Sequence, residues 1–182
     1  MELGSLVELV ETPPGSCGRL ERMNPLPEVC VTYLLRESPA GTEVLLGRKK
    51  FGLGEGNLVG PGGKLEPGES PADAAVREVR EEVGVSIRPQ SLMLVGELTY
   101  PFTHHPKFSQ KSWAFLCREW EGEPVESDEL APEWHLLADI PLDRMWDDAK
   151  HWLPQALAGQ FVRATFIFGA DARTVESSDY QR

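Results

Sequence analysis

"GGKLEPGESPADAAVREVREEVGV", residues 62–85, carries Glu66, Glu69, Asp73, Glu78, Glu81 and Glu82, and the last three lie inside a stretch that reads as a helix. Ser70 is a good N-cap, Pro71 suits the first helical position and Asp73 stands three residues beyond the cap, so a helix should start at residue 70 or 71. It should end near Val83, with Gly84 as a left-handed cap. Ala72, Ala75, Val76, Val79 and Val83 recur at helical spacing and predict one buried face. Glu78, Glu81 and Glu82 fall at i, i+3 and i+4, so their carboxylates are expected to converge on another face, where like charges cost a helix stability. A divalent ion such as Mg²⁺, or Mn²⁺ in its place, would turn that repulsion into coordination, because both ions favour hard oxygen ligands. The alternative is a solvated acidic face, the commoner fate of a charge cluster. Arg77 is spaced to pair with Glu81, and Glu69 is placed to reach Arg77.

The surrounding composition sets limits on function. The chain has 182 residues, 41% hydrophobic and 26% charged, which suits one globular domain with a real core. Its net charge of −11 predicts no general attraction to nucleic acid or to an anionic membrane, so a polyanionic substrate would need local cations. Cys17, Cys30 and Cys117 are too few and too scattered for a disulfide framework or a zinc site, and a reducing cytoplasm is the expected setting. No apolar run approaches membrane-spanning length.

Residues 1–26, with "ETPPGSCGRLERMNPLP", predict an irregular N-terminal extension, and 27–182 form the domain proper. "EVCVTYLLR" (28–36) and "VLLGRKK" (44–50) read as a hairpin, followed by a glycine-rich loop at 51–63 where backbone must approach something closely or adopt positive φ. Further strands are expected at 92–100, 111–120, 133–139 and 160–169. A helix at 147–159 should be interrupted by Pro154, and the tail beyond Asp171 should be poorly ordered. Strands and helices mingle without regular βαβ repetition, which predicts an α/β or α+β domain on a mixed sheet.

The full spacing of the opening stretch runs Gly63, five residues, Glu69, seven residues, Arg77-Glu78-Val79, one residue, Glu81-Glu82, one residue, Gly84-Val85. This resembles the Nudix box at every specified position. The resemblance implies a mixed sheet between helices and metal-assisted hydrolysis of a phosphoanhydride in a nucleoside diphosphate derivative. It makes Glu78, Glu81 and Glu82 metal ligands, with the Gly62 carbonyl as a further candidate, and makes Arg77 and Glu69 the residues that aim them. A non-catalytic regulator of this family would be expected to have lost box carboxylates, and this chain retains all of them.

From about residue 28 to 169 the chain is similar to MutT-type members of the family that hydrolyse oxidised purine nucleoside triphosphates. "LLGRKK", "GGK", "PVESDE" and the "MW" before acidic residues lie in matching order. By this resemblance Glu129 is a glutamate outside the box that reaches the metal and acts as base, against the plain alternative of a surface carboxylate. Lys49 lines the substrate pocket, and Pro61, Gly62, Gly63 and Lys64 border the nucleotide. Trp146 stacks on the purine, with core packing as the competing role, and Asp148 reads the base edge beside Asp147. Val59 stands where the relatives carry a base-reading asparagine, Leu53 where they carry a phenylalanine, and Ala149 where they carry a second aspartate. A valine cannot make an asparagine's hydrogen bonds. The expected substrate is 8-oxo-dGTP or a related nucleotide, and the expected assembly a monomer or homodimer; another nucleotide remains the alternative. His104 and His105 sit in a polar loop, either exposed or facing substrate.

Overall fold

A computed structural model describes residues 25–180; apart from its last two residues, the extension expected at 1–26 lies outside them. Strands β1 (Glu28–Ser38) and β2 (Gly41–Lys49) form the expected hairpin, but they pair only from Leu35↔Val44 to Ser38↔Gly41. Beyond that point they part. β2 continues antiparallel along β6 (Leu130–Leu136) and takes the two-residue β3 (Leu58–Val59) on its other edge. β1 instead runs parallel to β5 (Gln110–Cys117), followed across the sheet by β4 (Leu92–Tyr100), β7 (Val162–Phe168) and β8 (Val175–Ser178). The sheet is mixed, with order β3-β2-β1-β5-β4-β7-β8 and β6 against β2.

Alternation along β1 serves two cores. Cys30 and Leu34 face helix α1 (Pro71–Val83), where Ala74, Ala75, Val79 and Val83 are buried against them and against Leu45, Phe115 and Cys117. Tyr33 and Leu35 face the opposite layer, where Trp152, Leu153 and Ala156 of α2 (Ala149–Leu157) pack with Leu46, Leu98 and Phe166. The chain is therefore an α+β domain with its sheet between two helices, as expected from the mingled pattern. Helix α1 has the expected ends: the Ser70 hydroxyl accepts the Asp73 N–H and Gly84 is left-handed. A cap of this kind contributes about 1 kcal/mol.

The gap where β2 leaves β1 is filled by residues 61–65. Cys30 N–H donates to the Gly63 carbonyl (2.8 Å), Thr32 N–H to that of Pro61 (2.8 Å), and Leu65 N–H to that of Glu28 (3.0 Å). The glycines here answer a need for space rather than for unusual φ. A Cβ on Gly62 would stand 2.1 Å from the Cys30 carbonyl oxygen, and one on Gly60 2.6 Å from that of Thr32.

Two expectations are corrected. Pro154 does not interrupt α2, which runs through it to Leu157. The carbonyl that proline leaves without a helical donor belongs to exposed Lys150, where water can satisfy it. The tail is ordered over residues 172–180, with β8 antiparallel to β7. The Asp171 carboxylate accepts the Arg173 and Thr174 N–H groups and closes the turn, and Asp147 Oδ2 accepts the Val175 N–H (2.9 Å).

Gly62→Ala should lower stability by about 3 kcal/mol, the upper end of the ordinary overpacking range, because the obstructing atoms are backbone. Denaturant unfolding would measure it, and an unchanged midpoint would show that residues 61–65 do not need this close approach.

Candidate active site

Arg77 organises the outer side of α1. Its guanidinium binds both oxygens of Glu69 (Nε–Oε1 3.0 Å, Nη2–Oε2 2.9 Å), then Glu78 Oε1 (2.8 Å), Glu81 Oε2 (3.2 Å) and the Lys64 carbonyl (3.0 Å). One cation thus ties the helix to residues 64–69 that precede it, and an arginine suits this because its donors are fixed in a planar fork. Glu81 is drawn outward, its side chain 60% exposed. Glu78 stays half-buried against Gly63, where a Cβ would come within 2.4 Å of its Oε1.

Glu82 is buried, only 4% exposed, on the same face as Val79 and Val83. Its Oε2 accepts the Gly62 N–H (2.8 Å). Pro61 and Gly63 turn their carbonyls to β1, so strand alternation puts the Gly62 carbonyl on the opposite edge, the side of Glu82. Burial pushes the Glu82 carboxyl up to about 7; the Gly62 N–H and the Lys49 charge oppose that shift, while the charges of Glu78 and Glu129 add to it. Glu78 is raised by burial, against the pull of Arg77, with Glu81 and Glu129 adding to the shift.

Glu129 therefore belongs electrostatically to this group, although it lies far along the chain. The β2–β6 register, ending at Lys49↔Leu130, carries it there, and Lys50 N–H donates to its carbonyl (3.0 Å). The structure thus brings together Glu78, Glu82, Glu129, Lys49 and the 61–64 backbone. Glu81 is the box carboxylate turned outward, held by Arg77. In this conformation no three acidic, histidine or cysteine side chains among the described residues stand close enough to hold a metal.

Trp146, Asp147 and Asp148 lie on the α2 face. Trp146 is half-buried, edge-on to Phe168 (5.7 Å, 81°), and Gly54 abuts its ring so closely that a Cβ would stand 2.7 Å away. Asp148, two residues further on, is buried, with Oδ2 accepting from Tyr100 Oη and Trp152 Nε1 (2.8 Å each), and desolvation raises its carboxyl. Tyr100 and Trp152 were not singled out from the sequence; two donors on one buried acid become visible only in the fold. Asp147 is occupied with Lys150 and the Val175 N–H. Val59 packs on the α1 side while Leu58 belongs to the α2 side. Leu53 is exposed at the glycine-rich loop. His105 Nε2 lies 2.9 Å from the Ala170 carbonyl and His104 is exposed.

A profile of the NUDIX domain matches residues 25–156. The chain belongs to the Nudix family. It is 39% identical over 114 residues to an oxidized purine nucleoside triphosphate hydrolase of Mus musculus, covering 63% of this chain and 71% of that protein. The protein of the same description from Danio rerio is 39% identical over 125 residues, covering 69% and 78%. An 8-oxo-dGTP diphosphatase of Escherichia coli is 41% identical over 83 residues, covering 46% and 60%. The crystal structure of a MutT protein from Bacillus halodurans superposes with a TM-score of 0.69 at 25% identity, covering 84% of this chain and 96% of that one.

Nudix hydrolases generally use a divalent metal ion, and the chemistry of the donors here suits one, although their present spacing does not yet enclose it. Glu78 and Glu82 are withdrawn from water with their carboxyls raised, Glu129 adds charge to both, and Lys49 is the cation felt by Glu82. Excess negative charge on hard oxygens at low solvent exposure is what a small divalent cation relieves. For Glu81 to join them it would have to exchange Arg77 for the ion.

Between the ordinary carboxyl value of about 4.3 and about 7, folded Glu82 holds a proton that the unfolded chain has released. Its contribution to stability therefore falls as pH rises through that window. In thermal unfolding of the metal-free Nudix domain from about pH 5 to about pH 8, wild type should lose more stability with pH than Glu82→Gln, whose amide still accepts from Gly62. A divalent ion added at the upper pH should raise the wild-type Tm and raise that of the variant less. Parallel pH profiles would contradict the burial effect.

Proposed function

We propose that this Nudix hydrolase cleaves oxidised purine nucleoside triphosphates such as 8-oxo-dGTP to the monophosphate and pyrophosphate with Mg²⁺, removing damaged nucleotides from the precursor pool. The observation that carries the reading is the placement of Glu78 and Glu82 against the Gly62–Gly63 backbone, with the charge of Glu129 felt by both, and of Trp146 and Asp148 on the α2 face.

Glu78, Glu81, Glu82, Glu129 and the Gly62 carbonyl are the residues to hold Mg²⁺, or Mn²⁺ in its place. Bound there, the ion would supply the charge that neutralises phosphate oxygens and the polarisation that acidifies an attacking water. Arg77, anchored on Glu69 and Lys64, sets the rotamers of Glu78 and Glu81. Glu129, exposed at the mouth of the site, takes the proton of the water. Lys49 and Lys64 meet the phosphates, and Pro61 and Gly63 hold the backbone that borders them. Trp146 offers its ring to the purine, and Asp148 presents Oδ1 to the base edge, since Oδ2 is taken by Tyr100 and Trp152.

A differently modified or unmodified nucleotide is the second reading. Val59 supplies no hydrogen bond and packs on the α1 side, so base discrimination falls chiefly on Asp148 and Trp146.

Release of pyrophosphate from a panel of normal and oxidised nucleotides with Mg²⁺ should give the highest kcat/KM on an oxidised purine triphosphate; no turnover of any triphosphate would sink the reading. Glu82→Gln should lower kcat by about a hundredfold, the upper end for disturbing a metal's support. Trp146→Ala should raise KM about tenfold, the loss of a single base stack. A Trp146→Ala enzyme with unchanged KM would leave Trp146 to core packing.

A further inference from the structure

Glu129 follows a turn at Ser127 that closes on itself, with Ser127 N–H donating to the Leu130 carbonyl (3.0 Å), but that buries little surface. Between β5 and β6 the chain crosses from the end of α1 to the end of β2. Its first part is tied down: Ser86 and Glu121 exchange backbone hydrogen bonds (2.9 Å each), and Val125 N–H donates to the Val83 carbonyl (2.9 Å). Past that point burial contributes little, for Val125 is 57% exposed and the Glu126 side chain 63%. Ser127 makes the turn locally, its Oγ accepting the Glu129 and Leu130 N–H groups (3.2 and 3.1 Å).

The tie from outside is Lys50. Its Nζ donates to the Ser127 carbonyl and lies 2.7 Å from Glu126 Oε1, and its own N–H holds the Glu129 carbonyl. Strand alternation separates the tasks of two neighbouring lysines: the charge of Lys49 is felt by Glu82, whereas that of Lys50 is spent on the turn. We propose that Lys50 is a positioning residue that clamps the 126–129 turn and so sets where the Glu129 carboxylate stands relative to Glu78 and Glu82. The proposal rests on Glu129 taking part in hydrolysis as described above. The bond to the Ser127 carbonyl does most of this, because an ion pair with an exposed glutamate is weak.

The test compares Lys50→Met, Lys50→Arg, Glu129→Gln and the Lys50→Met/Glu129→Gln double variant by kcat, KM, the Mg²⁺ concentration for half-activation, and Tm. Lys50→Met should lower kcat about tenfold and raise the Mg²⁺ requirement, in the range seen when the support of a metal site is removed, with KM for the nucleotide nearly unchanged. Lys50→Arg, which keeps a donor and a charge, should recover most of the kcat. The double variant should be no slower than Glu129→Gln alone, because the two residues act as one unit. If Glu129→Gln is impaired while Lys50→Met keeps wild-type kcat and Mg²⁺ requirement, the clamp is wrong and the role of Glu129 stands. If the losses multiply in the double variant, Lys50 acts through general stability and the proposal fails. A fully active Glu129→Gln would overturn the role of Glu129 and the clamp with it.

Discussion

The site depends on one close approach: residues 61–65 lie along β1 in the gap from which β2 has departed. A parted hairpin leaves the N–H groups of Cys30 and Thr32 without partners, and Pro61 and Gly63 supply the missing carbonyls. Only a chain without Cβ atoms at 60 and 62 fits so near the β1 backbone. Once placed, it directs the Gly62 N–H at Glu82, gives Glu78 room over Gly63 and offers the Lys64 carbonyl to Arg77. Helix α1 is thus docked on the sheet by apolar side chains below and by this polar seam at its edge.

Charge is distributed unevenly across that seam. The outer carboxylates share the fork of Arg77, while the inner Glu82 has a single backbone N–H and the charge of Lys49 at a distance. An acid held this way is poised rather than satisfied, in keeping with a site built for a cation and a polyphosphate.

Much of this was legible in the residues themselves. Ser70, Pro71 and Gly84 mark the ends of α1 by local chemistry, which tertiary context rarely overrides, and the hairpin followed from β-branched runs around a turn. Helical periodicity placed Val79 and Val83 correctly but could not say that Glu82 shares their face, since a buried acid breaks the pattern used to find the face. The order of the C-terminal tail was hidden for a related reason. "VESS" has one apolar residue, and its strand depends on Asp147 and Asp171, whose carboxylates bind backbone groups that no periodicity reveals. Lys50 looked like its neighbour Lys49, and only its contacts with the Ser127 carbonyl and Glu126 show the two turned to different work.

The division of the molecule by its sheet has an evolutionary reading. The box carboxylates and the Gly62–Gly63 backbone belong to the α1 side, whereas Trp146, Asp148 and Tyr100 belong to the side of α2 and the C-terminal hairpin, which Asp147 fastens next to Trp146. Under the function proposed above, substitutions in the second group would change which base is accepted while the carboxylate group keeps its geometry. On that reading, base preference and bond cleavage lie on separate layers and can change independently of one another.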